Sequence, residues 1–195
     1  MPYFKRNSLA VLSFLLLSFS LKAQPQPFLS LAEDGLVFNA GFQYKEHYFS
    51  GILVVKSVDE GQQIVMLSKM GPTIMDFIMH SSGAVTWNKK VEEINKPIFE
   101  KAIVKDFRTL LLTPLYDPKK VKALAKSNFK VKKHEKLMLQ LKDDRVISSE
   151  NRGVINLFKT FVKYAYIDED AIPDEICLTH RNLKLKIELT QMSNE

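Results

Sequence analysis

The sequence predicts a mostly β (α+β) protein: a large antiparallel sheet that curls, with one or two helices packed on its concave face. Three observations carry this. Between Gly41 and Asn88, short apolar runs are separated only by tight turn clusters. Spacing that close permits antiparallel neighbours alone, because a parallel crossover needs a dozen or more residues. The apolar period then changes to i, i+3, i+4, i+7 between Pro97 and Leu112, and it returns to strict alternation before the end of the chain. About nine or ten strands follow from the count, and a sheet of that width curls rather than staying flat.

Element by element, the first strand is expected at Gly41–Phe49, then Gly51–Val58, Gln62–Lys69, Thr73–His80 and Ala84–Asn88. The breaks are Ser50-Gly51, Asp59-Glu60-Gly61, Met70-Gly71-Pro72 and Ser81-Ser82-Gly83, each with a glycine able to take positive φ. Ile98, Phe99, Ala102, Ile103, Phe107, Leu110 and Leu111 form one stripe of a helix, and Lys101, Lys105 and Arg108 take its other face. Asn95 can cap its start, Pro97 fits its first turn, and Thr113-Pro114 stops it. A second short helix is expected from Asp117, with Pro118 at its first position, to about Lys126. Strands then resume at Leu137–Leu141, Arg145–Ser149, Val154–Ile167, Ile176–His180 and Leu183–Leu189. In the last of these Leu183, Leu185, Ile187 and Leu189 face in, and a one-residue slip would bury Lys184, Lys186 and Glu188.

The first 23 residues read as a cleavable secretory signal peptide. Lys5 and Arg6 precede a charge-free run from Leu9 to Leu21, and Ala23 offers a small residue at the cut. The run is shorter than the ~20 apolar residues of a membrane span. Removing 23 of the 195 residues leaves 172, which suits one domain. We expect an N-terminal segment over 24–40 and a single domain over 41–190. Net charge falls from +6 to +3 on cleavage, because the leader holds Lys5, Arg6 and Lys22 and no acid; that is no argument for nucleic acid. Export points to the periplasm or the cell exterior. Cys177 is the only cysteine, so an intramolecular disulfide is impossible. Gln24, not a cysteine, follows the expected cut, which argues against a lipid anchor there.

Residues Phe49-Ser-Gly51-Ile-Leu-Val-Val-Lys56, then Gly71 leading to Asp76-Phe77, then Ala102 to Leu112 with Asp106-Phe107 and Leu110-Leu111, resemble the periplasmic lipoprotein carrier and receptor (Lol) superfamily over roughly Gly41–Leu189. The resemblance implies an unclosed β-barrel lidded by helices over an apolar cavity that takes acyl chains. It also implies a role in envelope lipid or lipoprotein transport, with lipid or an acylated protein as partner.

Four of the seven methionines, Met66, Met70, Met75 and Met79, fall within fourteen residues. Methionine suits surfaces that accept variable apolar partners. Met75, Phe77 and Met79 share one strand face, and with Trp87, Phe99, Ile103 and Phe107 they form a candidate acyl-chain wall; the alternative is ordinary packing of helix on sheet. Lys119, Lys120, Lys122, Lys126, Lys130, Lys132 and Lys133 form a basic run that suits an anionic membrane surface or an acidic partner, or else a solvated face. Asp168, Glu169, Asp170, Asp174 and Glu175 lack the calcium-loop pattern. Cys177 and His180 fall on opposite faces of a strand, which argues against a nucleophile–base pair or a shared metal. No catalytic motif, metal site or cofactor is expected. The competing reading is an envelope scaffold with a filled core that binds a protein partner.

Overall fold

In the computed structural model the described residues are 27–32, 34–113, 122–125, 128–132, 135–143, 145–152, 159–167, 170–180 and 183–192. The expected signal peptide therefore lies outside them, as do Lys119, Lys120, Lys126, Lys133 and the Asp117-Pro118 start of the second helix.

Twelve strands form a single sheet: β1 (Leu36–Tyr44), β2 (His47–Val58), β3 (Gly61–Ser68), β4 (Thr73–His80), β5 (Val85–Lys90), β6 (Lys122–Ala125), β7 (Asn128–Lys132), β8 (Glu135–Lys142), β9 (Arg145–Arg152), β10 (Thr160–Ala165), β11 (Glu175–His180) and β12 (Leu185–Gln191). The spatial order is β5-β4-β3-β2-β1-β12-β11-β10-β9-β8-β7-β6, and every neighbouring pair is antiparallel. Two meanders, β1–β5 and β6–β12, are joined where β1 pairs with β12, and among the described residues β5 and β6 are the edges. The half-barrel is therefore unclosed, as the sequence led us to expect.

Alternation builds the concave face. Leu53 and Val55 of β2, Ile64 and Met66 of β3, Met75, Phe77 and Met79 of β4, Val162 and Tyr164 of β10, Ile176 and Leu178 of β11, and Ile187 and Leu189 of β12 are all buried. Burying that apolar area is the main stabilising term of the fold. Helix α1 (Pro97–Leu110) crosses the concave side, with Pro97 in its first turn. Its C-terminal half is embedded: Val104, Asp106, Phe107, Thr109 and Leu110 are buried, and so are Leu111 and Leu112 just beyond. Its N-terminal half is not, and Ile98 is 59% exposed. A 3₁₀ turn at Phe28–Leu31 puts Phe28 and Leu29 into the core, so the segment before Gly41 is built into the fold.

Several local expectations need correction. The first hairpin turns at Lys45-Glu46, with Tyr44 opposite His47, and β2 runs through Ser50-Gly51 without a break. Lys45 takes the left-handed conformation (φ 55°) that two-residue hairpins need and that glycine or asparagine usually supplies. Gly51 serves close approach instead: a Cβ there would lie 1.9 Å from the Leu67 carbonyl oxygen. The N-cap of α1 is Lys96, not Asn95, with no side-chain cap. Residues Lys122–Ala125 are strand rather than helix, and β7 was not expected at all; pairing with a neighbour overrides the local preference of an alanine-containing segment.

Candidate functional site

The seven residues expected to line an apolar wall come from three elements. Met75, Phe77 and Met79 are buried side by side on β4, with Met66 of β3 opposite Met75. Trp87 on β5 stands opposite Phe77, their ring centroids 4.6 Å apart. Phe107 of α1 meets Phe77 edge-on at 5.7 Å, and Phe42 of β1 lies 6.4 Å from Phe107. Rings thus fill the space between sheet and helix at Phe107. Toward the helix start the packing thins: Trp87, Phe99 and Ile103 are only partly buried. Phe99 contacts Tyr44 edge-on at 5.7 Å, and Phe49 on the adjacent strand is 49% exposed. An apolar surface therefore continues from the core out to solvent along the N-terminal half of α1. Lys90 sits over the Trp87 ring and pairs with Glu100 of α1 at 2.5 Å, tying that half to β5. At the other end Arg108 donates to the carbonyl of Gly83 at 2.6 Å.

The C-terminal half of α1 is held differently, by a buried polar cluster on β9, β10 and β11 that sequence reasoning missed. Thr160 donates to Asp106 Oδ1 at 2.8 Å, and Asn151 donates to Thr109 Oγ1 at 3.2 Å. Tyr164 reaches the carbonyls of Thr109 and Leu110 at 3.1 and 3.2 Å, and its oxygen lies 2.9 Å from Ser149 Oγ. A helix end buried in a core has orphaned carbonyls, and the Tyr164 hydroxyl supplies the missing donor. Burial pushes Asp106 up to about 7, against the Thr160 hydrogen bond and the Lys105 charge. Burial also pushes the Tyr164 hydroxyl above its ordinary range, and burial followed by the Lys105 charge pushes His180 down. The signal was present in the sequence: Asp106 lies three residues after Ile103 and four before Leu110, on the face that had to be buried.

The basic run is placed in part. Lys122 stands opposite Lys130, and Lys130 opposite Lys136, at register positions of β6, β7 and β8. Lys132 ends β7. Lysines on an edge hairpin also discourage edge-to-edge association. On the convex face a groove of about 400 Å³ opens over Gly41 and Gly51, lined by Tyr48, Lys69, Glu175, Cys177 and Glu188 among others. Cys177 faces this side while His180 is buried, as the strand parity required. Among the described residues no group of three or more His, Cys, Asp or Glu side chains could hold a metal ion.

No family model matches the sequence, and no curated protein matches it. Among solved structures, the chain is similar to a LolA superfamily protein from Nitrosomonas europaea, with 9% identity and a TM-score of 0.41 over 88% of this chain and 93% of that one. A domain assigned to outer membrane lipoprotein sorting in Vibrio parahaemolyticus gives 9% identity and a TM-score of 0.41 over 82% of this chain and 84% of that one.

Proposed function

We propose that this protein is an exported, non-enzymatic carrier that binds the acyl chains of a lipid or an acylated protein between the sheet and α1. The observation behind the reading is the apolar surface that runs from buried Met75, Phe77 and Met79 to partly buried Trp87, Phe99 and Ile103. Burial of apolar area would drive binding, with Phe107 displaced or repacked to admit the chain. Methionine and aromatic side chains suit that repacking. The lysines Lys119, Lys120, Lys122, Lys126, Lys130, Lys132 and Lys133 would contact anionic head groups during exchange.

A second reading draws on the ring stack itself. With Phe77, Trp87 and Phe107 in contact, the interior at that level is filled, and the protein would act as an envelope scaffold for a protein partner.

One experiment separates the two. Mature protein purified without detergent is weighed by native mass spectrometry and then extracted with organic solvent. Copurified lipid near one-to-one, absent from a folded Phe77→Glu variant, supports the carrier. A clean apo mass that ignores added fatty acid supports the scaffold. Equal lipid in both proteins would remove Phe77 from the wall. Co-sedimentation with anionic and neutral vesicles tests the lysine contact, and binding indifferent to lipid charge and salt would exclude it.

A further inference from the structure

Three buried side-chain oxygens lack a hydrogen-bond partner among the described residues, and two of them lie in one four-residue square. Asp106 and Thr109 are one helical turn apart on α1. Asn151 and Thr160 are cross-strand partners on β9 and β10. Thr160 bonds Asp106 and Asn151 bonds Thr109, so the two pairs face each other as rungs. Both hydroxyl donors are committed: the Thr109 hydroxyl donates to the Lys105 carbonyl at 3.0 Å and the Thr160 hydroxyl to Asp106 Oδ1. Asp106 Oδ2 and Asn151 Oδ1 are left buried and unpaired. An ionised carboxylate adds only acceptors to a square that already holds two unpaired oxygens, whereas a protonated one brings a further donor.

We propose that the square Asp106–Thr109–Asn151–Thr160 is a proton-controlled seat for α1: with a proton on Asp106 the helix stays docked in the sheet, and loss of that proton lets its C-terminal half lift away. Lifting uncovers Phe107 and Leu110, so the seat regulates access to the acyl-chain wall; that part rests on the carrier reading above.

The charged and titratable neighbours agree. On α1, the Lys105 charge favours the anion, but less than burial opposes it. On β9 and before β10, Glu150, Arg152 and Lys159 pair with one another on the other face; burial works against the Glu150 charge, but its bonds to Arg152 and Lys159 hold it below the usual carboxylate range. On β10, Tyr164 stays neutral and Lys163 faces solvent. On β11, Glu175 is exposed, Cys177 is on the convex side, and His180 is buried and pushed down. His180 therefore titrates in the opposite sense, so the reading must be taken as a difference between two proteins that both contain it.

The experiment compares full mature wild type with Asp106→Asn, whose amide is an isostere of the protonated acid. Amide hydrogen exchange over Val104–Leu111, corrected for intrinsic rates, reports helix opening at pH 5 and pH 8. Opening in wild type should rise about a hundredfold over that range relative to Asp106→Asn. The carboxyl carbon shift of Asp106 in wild type should titrate near neutral pH, an observation that needs no variant. A midpoint near the ordinary aspartate value, equal pH dependence in both proteins, or a rise spread evenly over β1–β5 would each overturn the proposal. Uptake of a neutral diacyl fluorescent probe is a separate arm: faster uptake at pH 8 in wild type alone supports the gate. No uptake at either pH removes the carrier reading and leaves the exchange result to decide the seat.

Discussion

Replacing Tyr164 by phenylalanine deletes one oxygen from the centre of the fold and leaves the ring in place. The ring keeps its edge contact with Phe28 at 5.1 Å, so packing changes little. What is lost is specific. Tyr164 can donate one proton, shared between the carbonyls of Thr109 and Leu110, and it accepts from Ser149. Ser149 is fully buried, and so is Leu110. A buried polar group stripped of its partner costs about 1–3 kcal/mol. The Thr109 carbonyl keeps the Leu112 N–H at 3.3 Å, so with the Leu110 carbonyl and the Ser149 hydroxyl exposed to the loss, Tyr164→Phe should destabilise the protein by about 2–3 kcal/mol. In urea, with a slope of about 2 kcal/mol/M for a domain of this size, the midpoint should fall by roughly 1 M at unchanged slope. Removing the stranded hydroxyl should recover part of the loss, so Tyr164→Phe with Ser149→Ala should show a coupling of about 1 kcal/mol in a double-mutant cycle. A drop under about 0.5 kcal/mol would refute the reasoning, because the helix end would then be satisfied without Tyr164.

Other outcomes follow from the same structure. The carboxyl of Asp106 rises from its ordinary 3.8 to about 7 on folding, which corresponds to about 4 kcal/mol. The stability linked to it is fully present below about pH 4 and is lost as pH rises through 7, so urea midpoints of wild type should fall over that window and those of Asp106→Asn should not. His180 is pushed down on folding, so its contribution is present above its ordinary 6.5 and lost as pH falls below it; His180→Gln should flatten the acid side of the same curve. Gly51→Ala places a methyl group against the Leu67 carbonyl and should cost more than about 2 kcal/mol by urea unfolding, with wild-type stability as the refuting result. Phe77→Glu should abolish any lipid copurification, as set out above.

Much of this architecture was legible before any coordinate. The meander from β1 to β5, the single switch to helical period at Pro97, and the alternation of β12 are dictated by where apolar residues recur, because each period can bury only one face. The placement of Met75, Phe77 and Met79 on one buried face followed from strand parity alone. Turn positions were less legible where an unusual residue did the work: Lys45 carries the left-handed turn, and Gly51, a turn signal by composition, sits in mid-strand to let a carbonyl pass. The hairpin of β6 and β7 reads locally as helix and solvated loop, and only its neighbours in the sheet make it strand.

What the sequence by itself determined is the class, a curled antiparallel sheet with a helix against its concave side, since periodicity is a local property of the chain. What the tertiary structure decided is how deep that helix lies and what holds it. Asp106, Asn151 and Thr160 are up to 54 residues apart in the chain, and no local pattern marks them as partners. They meet because the sheet returns β9 and β10 to the C-terminal half of α1, and in that buried interior a carboxyl and an amide must find their hydrogen-bond partners among neighbouring side chains or go without.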